Sequence, residues 1–205
     1  MNAHTHLLGG LALGVATLPL VHPAVALGYL ALTTLAGPLP DWDHPGSTYG
    51  RYVPLPGVAK VHGHLEPFRR GPYGNSAASF GHVGRRTPFG ILWHRGGAHS
   101  LGAAALAGLV VGGGLTALHV PDAATWGLAV GVGYVSHLLL DSLNVMGQAL
   151  AWPVTRRRFQ PPWHFRMGGW QEGLVALALL GVVVVLGLPA LPHLLAVAKP
   201  GPKQI

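Results

Sequence analysis

Polar and charged positions in this chain gather at the ends of long apolar stretches. From Leu7 to Pro40, a run of 34 residues, no side chain is charged, and about 20 apolar residues suffice to cross the hydrocarbon core of a bilayer. His22-Pro23 interrupts that run near its middle. Proline removes a backbone donor and favours a turn or a helix start. The pattern therefore predicts a helical hairpin, Leu7–Val21 followed by Ala24–Ala36; the rival is one long tilted helix. A third apolar stretch covers Leu101 to Val120, with Ser100 placed to cap its N-terminus. His119-Val120-Pro121-Asp122 reads as a tight turn. A fourth stretch then runs from Ala123 to Leu140 and a fifth from Gly173 to Ala198. The predicted fold is all-α: a polytopic transmembrane helical bundle of four core spans with a C-terminal fifth. Residues 1–172 form its membrane-embedded core, with an irregular loop over 45–93, and residues 173–205 form a C-terminal helix and tail.

Composition agrees with that pattern. Half the residues are hydrophobic and 9% are charged, where an ordinary soluble domain carries about a quarter; the mean hydropathy is +0.41. With no cysteine, disulfides, thiolate zinc sites and a cysteine nucleophile are excluded. Glycines recur four apart at Gly10/Gly14, Gly108/Gly112 and Gly127/Gly131, a spacing that lets transmembrane helices approach closely. Self-association into a homo-oligomer stays open.

The formal charge of +7 is read as a topology signal and anionic-lipid contacts rather than as a nucleic-acid surface. The segment 41–99 carries Arg51, Lys60, Arg69, Arg70, Arg85, Arg86 and Arg95, and the segment 141–172 carries Arg156, Arg157, Arg158 and Arg166. The turns at His22-Pro23 and His119–Asp122 carry no basic residue. The positive-inside rule puts the two long segments in the cytoplasm, with the N-terminus beside them and the tail holding Lys199 and Lys203 outside. No basic residue precedes Leu7, so a cleaved signal peptide is not expected. Ala151-Trp152-Pro153, followed by Arg156–Arg158, reads as an interfacial anchor.

Candidate chemistry follows from topology. His4/His6, Asp41-Trp42-Asp43-His44, His94-Arg95-Gly96-Gly97-Ala98-His99 and His137 through Asp141 all lie at span ends. In the hairpin reading they share one face of the membrane. His137 and Asp141 are four residues apart, hence on one helix face and able to hold the same ion. Carboxylates at the C-terminal end of a span oppose the helix dipole, a conflict that a bound cation resolves. Arg95 offers a planar fork suited to phosphate or carboxylate oxygens. His6, next to the apolar run, is preferred to His4. His22, His62, His64, His82, His119, His164 and His193 are read as incidental.

These motifs resemble the YdjM-type, LexA-regulated, membrane-bound metal-dependent hydrolases of bacteria. The likeness rests on His6-Leu7-Leu8, Leu39-Pro40-Asp41-Trp42-Asp43-His44-Pro45, His94 through Leu101, Gly133-Tyr134-Val135-Ser136-His137 through Asp141, and Gly147 to Trp152-Pro153. They occur in family order across about residues 4–162. The family's usual threonine before the second histidine of its HRG motif is Ala98 here, and the loop over 45–93 is longer than usual. Leu-Pro-Asp after an N-terminal histidine is similar, more distantly, to zinc-dependent phospholipases C.

The resemblance implies a hydrolase of the inner membrane with a role in the SOS response. The site would hold one or two divalent ions, zinc foremost, on His6, Asp41, His94, His99, His137 and Asp141, with His44 as an outer ligand. Asp43 would act as general base and Arg95 would face developing negative charge. A lipid or other phosphoester at the cytoplasmic bilayer surface is the expected substrate. The competing readings are a metal or proton transporter and a non-catalytic, metal-stabilised membrane protein.

Overall fold

The computed structural model describes residues 1–43, 97–155, 157–166 and 168–195; the loop over 45–93 lies outside them. Among the described residues the chain forms five α-helices: α1 (Ala3–Thr17), α2 (Ala26–Ala36), α3 (Leu101–Ala117), α4 (Ala123–Ser142) and α5 (Trp170–Leu195). The only sheet-like pairs described are the isolated bridges Asn144–Phe165 and Gln148–Phe159. The all-α expectation holds.

The first apolar run is broken where proline predicts. Leu18–Leu20 and Pro23–Val25 form 3-10 turns on either side of His22, whose backbone is extended. The His22 Nδ1 accepts a hydrogen bond from the Ala24 amide at 3.3 Å. The ring thus caps the turn leading into α2, and the single long helix is ruled out. Ser100 caps α3 as expected, its hydroxyl accepting from the Ala103 amide at 3.1 Å.

By length and composition Ala3–Leu20, Ala123–Ser142 and Trp170–Pro192 are each able to cross a membrane, while Pro23–Ala36 and Leu101–Ala117 are shorter apolar helices. The molecule is a helical membrane bundle. Its centre is the mutually packed α1, α2 and α4; α3 lies against α4, and α5 against α1.

The interior mixes polar side chains with buried apolar ones such as Leu18, Tyr29, Ala129 and Leu138. Fully buried positions include Thr5, Thr33, His137 and Gln148, while Leu109, Leu177 and Val185 are exposed. Without water between helices there is no hydrophobic gain from burying leucine, so close packing and polar contacts hold the interior. Gly10 and Gly14 face Thr33 of α2. On α4, a Cβ at Gly127 would lie 2.6 Å from the Gly108 carbonyl oxygen and 2.9 Å from the Gly112 Cα. Glycine is therefore required at that crossing.

The segment after α4 folds back across one end of the bundle. Gln148 and Phe159 exchange backbone hydrogen bonds at 3.1 and 2.8 Å, and the Leu101 amide donates to the Leu150 carbonyl at 2.9 Å. Arg158 Nη1 donates to the Met146 carbonyl at 3.1 Å. At the start of α5 the buried Glu172 carboxylate accepts from the Asn2 amide at 2.7 Å, Thr5 Oγ1 at 2.8 Å and the Gly168 amide at 2.7 Å. A carboxylate in the first turn of a helix also complements its dipole. Glu172 thereby ties α5 to the beginning of α1.

Candidate metal centre

Alternating helix directions bring two helix beginnings and two helix ends to one end of the bundle. His6 lies near the start of α1, and His99 in the 3-10 turn Gly97–His99 ahead of α3. Asp41 lies in the 3-10 turn Leu39–Asp43 that follows α2. There the Asp41 amide donates to the Pro38 carbonyl at 3.2 Å. His137 and Asp141 occupy successive turns at the end of α4. His6, His99 and His137 are fully buried and Asp141 is nearly so, whereas the Asp41 side chain keeps 18% exposure.

His137, His99, Asp41 and Asp141 offer ligand atoms that all lie within 4.8 Å of one another. His137 Nε2 is 3.3 Å from His99 Nε2. Asp41 Oδ1 is 3.4 Å from His99 Nε2 and 3.5 Å from His137 Nε2. Asp141 Oδ2 is 3.9 and 3.7 Å from the same two nitrogens. Ligand bonds of about 2.0–2.2 Å in a tetrahedral shell put the donor atoms about 3.3–3.6 Å apart. His99, His137 and Asp41 have that spacing, and Asp141 lies a few tenths of an ångström wider, so the four groups have the chemistry and nearly the geometry of a divalent-metal shell.

Hydrogen bonding orients the donors. His137 Nδ1 lies 2.9 Å from the Gly37 carbonyl oxygen. A carbonyl can only accept, so Nδ1 carries the proton and the Nε2 lone pair faces the cluster. Gly37 can come so close because it has no side chain: a Cβ there would run into the His6 carbonyl. The Tyr134 hydroxyl donates to the Ala98 carbonyl, one residue before His99, and Ser100 Oγ donates to the Gly97 carbonyl at 2.7 Å. Together they close the turn that presents His99.

Burial works to raise the Asp41 carboxyl, but the His137 and His99 imidazoles beside it, which donate to it in their protonated forms, outweigh that and hold it well below the usual carboxylate range. An anion is thereby kept ready beside two imidazoles.

His6 adds a fifth group. Its Nε2 is 3.4 Å from Asp141 Oδ1, and its ring stacks on His137 with centroids 3.8 Å apart. Both His6 ring nitrogens are buried without a hydrogen-bond partner, a costly state for an imidazole unless something else coordinates it. The two oxygens of Asp141 therefore face different groups: Oδ2 the four-donor cluster, Oδ1 His6 and the Met1 amino nitrogen at 2.8 Å.

Of the residues singled out from sequence, the structure brings together His6, Asp41, His99, His137 and Asp141. His44, His94 and Arg95 lie outside the described residues, as does the side chain of Asp43, whose backbone ends the turn bearing Asp41. His4 is exposed, and His164 Nδ1 turns to the Pro161 carbonyl at 3.0 Å. The orienting roles of Gly37, Tyr134 and Glu172 were not readable from spacing. The signals that could have raised them are a glycine just before Pro38, a tyrosine one helical turn before His137, and an isolated acid opening an apolar helix.

The family model described as YdjM inner membrane protein matches residues 1–198, and the chain belongs to that family. No curated protein and no solved structure matches it.

Proposed function

For this member of the YdjM inner membrane protein family, we propose a membrane-bound, metal-dependent hydrolase that cleaves a phosphoester or lipid-linked substrate at the cytoplasmic surface. One observation carries the reading: four buried or largely buried donors from three separate chain segments converge within 4.8 Å of one another. Asp41, His99, His137 and Asp141 hold the first divalent ion, zinc by donor type. His6 and Asp141 Oδ1 supply donors for a second. When bound, such an ion polarises a phosphoryl oxygen and lets water react near neutral pH. The chain's own groups do the rest. Gly37 and Tyr134 hold the imidazoles in place, and Asp41, the one donor of the four with appreciable exposure, marks the side from which substrate arrives. Asp43 takes the proton from the attacking water, and Arg95 faces the negative charge that develops. The cationic segments 41–99 and 141–172 support a cytoplasmic placement of this end.

The competing reading is a non-catalytic ion that only ties the helices together. It draws support from the same four donors, since a shell closed by four protein ligands is the mark of a structural site. Transport is disfavoured because the donors sit at helix ends, where transporter sites usually lie at the bilayer midplane.

Elemental analysis of the detergent-purified protein, wild type against His137→Ala and Asp41→Ala, tests the centre. Both variants are expected to lose most of their metal. Unchanged metal content in both would defeat the site. A hydrolysis panel of phosphodiesters and phospholipids separates the two readings: bound metal with no turnover of any phosphoester favours the structural ion.

A further inference from the structure

Both α4 and α5 pack against α1, and a furrow runs along the α1–α5 seam with α4 walling its first part. Near the metal centre this furrow is a cavity of about 170 Å³ floored by Gly9 and Ala12 and walled by Ser136, Leu139, Leu179 and Val182. It meets a second cavity, of about 290 Å³, bounded by Val15, Leu18, Pro19, Leu186 and Pro189. Ala16 lines both. The one hydroxyl on its walls, Ser136 Oγ, is spent on the Gly133 carbonyl at 2.7 Å, so no side chain lining it offers a free polar group. Its lips, Leu139 and Val182, are exposed on the outer surface of the bundle.

We propose that this furrow holds one hydrocarbon chain of a phospholipid-type substrate while its phosphoester reaches the Asp/His cluster. The inference rests on the hydrolase reading for the headgroup and adds to it where the chain lies. Three observations carry it. The furrow begins beside the centre, since Gly9 follows His6 by one helical turn and Ser136 adjoins His137. From Gly9 to Pro19 a helix rises about 15 Å, which is about half the hydrocarbon thickness of a bilayer. That is the depth of one leaflet. Its volume decides the occupant: a 15 Å length of helix about 10 Å across fills on the order of 1,000 Å³, more than the cavities of about 170 and 290 Å³ together hold. A single alkyl chain fits.

The test uses the full-length protein in vesicles of phosphatidylethanolamine and phosphatidylglycerol, doped with a phosphatidylglycerol carrying a mid-chain diazirine. After photolysis, labelled residues are read by mass spectrometry. Label is expected to concentrate on Leu13, Ala16, Val182 and Leu186, above Leu106 and Leu109 of α3, which are more exposed than Val182 and Leu186. Ala16 is exposed, so Ala16→Trp fills the furrow without entering the core, and Val182→Trp is the second variant should the first misfold. Each should cut furrow labelling about tenfold, while Leu109→Trp changes nothing. Label spread evenly over α3 and α5, or unmoved by both furrow variants, overturns the proposal. So does a furrow variant that turns a wild-type oligomer into a monomer, because the occupant is then another copy of the chain.

Labelling does not require turnover, so it stands if no hydrolysis is found. If hydrolysis is found, Ala16→Trp should lower kcat/KM about tenfold for long-chain phospholipids and leave a water-soluble phosphodiester unaffected. Equal loss on both substrates would sink the furrow and spare the hydrolase.

Discussion

At the scale of single residues, the cluster depends on groups that donate nothing to a metal themselves. The Gly37 carbonyl selects the His137 tautomer, and Tyr134 holds the Ala98 carbonyl so that His99 points inward. Tyr134→Phe keeps the ring and deletes only the hydroxyl. Its expected effect is a metal affinity weakened about tenfold, the lower end of what orienting partners contribute, with unchanged helical content. Chelator competition and circular dichroism measure the two. An unchanged affinity would mean that Ser100 alone fixes the turn. His137 and Asp141 were legible as a pair, since a four-residue step on a helix puts two side chains on one face. Gly37 was not legible, because its contribution is a backbone atom and requires α2 to lie beside His6.

Among the elements, the α3–α4 crossing and the docking of α5 carry opposite kinds of interaction. At the crossing, backbone meets backbone. Gly127→Val should destabilise the bundle by about 1–3 kcal/mol through overpacking. Gly113→Ala, which meets nothing within 4 Å, should be neutral or should stabilise by up to about 1 kcal/mol through its helix propensity. Thermal unfolding in detergent compares them, and equal melting points would contradict the close approach. α5 is held by a polar staple instead. In Glu172→Gln one acceptor becomes a donor facing another donor, so at least one of the three hydrogen bonds is lost, at about 1–3 kcal/mol for a buried group. Faster limited proteolysis near Gly168-Gly169 than in wild type is the expected sign. The glycine spacings pointed to close crossings, and the structure supplies their partners: Gly108 and Gly112 against Gly127, Gly10 and Gly14 against Thr33.

For the molecule as a whole, the donors gather because α1, α2, α3 and α4 alternate in direction, so that every second connection returns to the same end. The absence of cysteine makes sidedness directly measurable. Val154 is 92% exposed beside the cluster end, and Val120 is partly exposed in the turn at the opposite end. A membrane-impermeant maleimide should label Val120→Cys in intact cells, and Val154→Cys only after permeabilisation. The reverse pattern would place the metal centre outside.

The chain's apolar runs, the proline after His22 and the ends at which its Asp and His residues lie were enough to determine an all-helical membrane bundle with its polar chemistry at span ends. Periodicity and solvation act along the chain, and a sequence displays them directly. Tertiary structure decided how the donors named from the sequence are arranged around one another. His6 and Asp141 are distant in sequence yet 3.4 Å apart, and the two oxygens of Asp141 are divided between two sets of partners. The furrow along α1 likewise exists only because α4 and α5 both choose that helix. Distances of this kind are set by how helices cross, and crossing geometry arises between elements rather than within them.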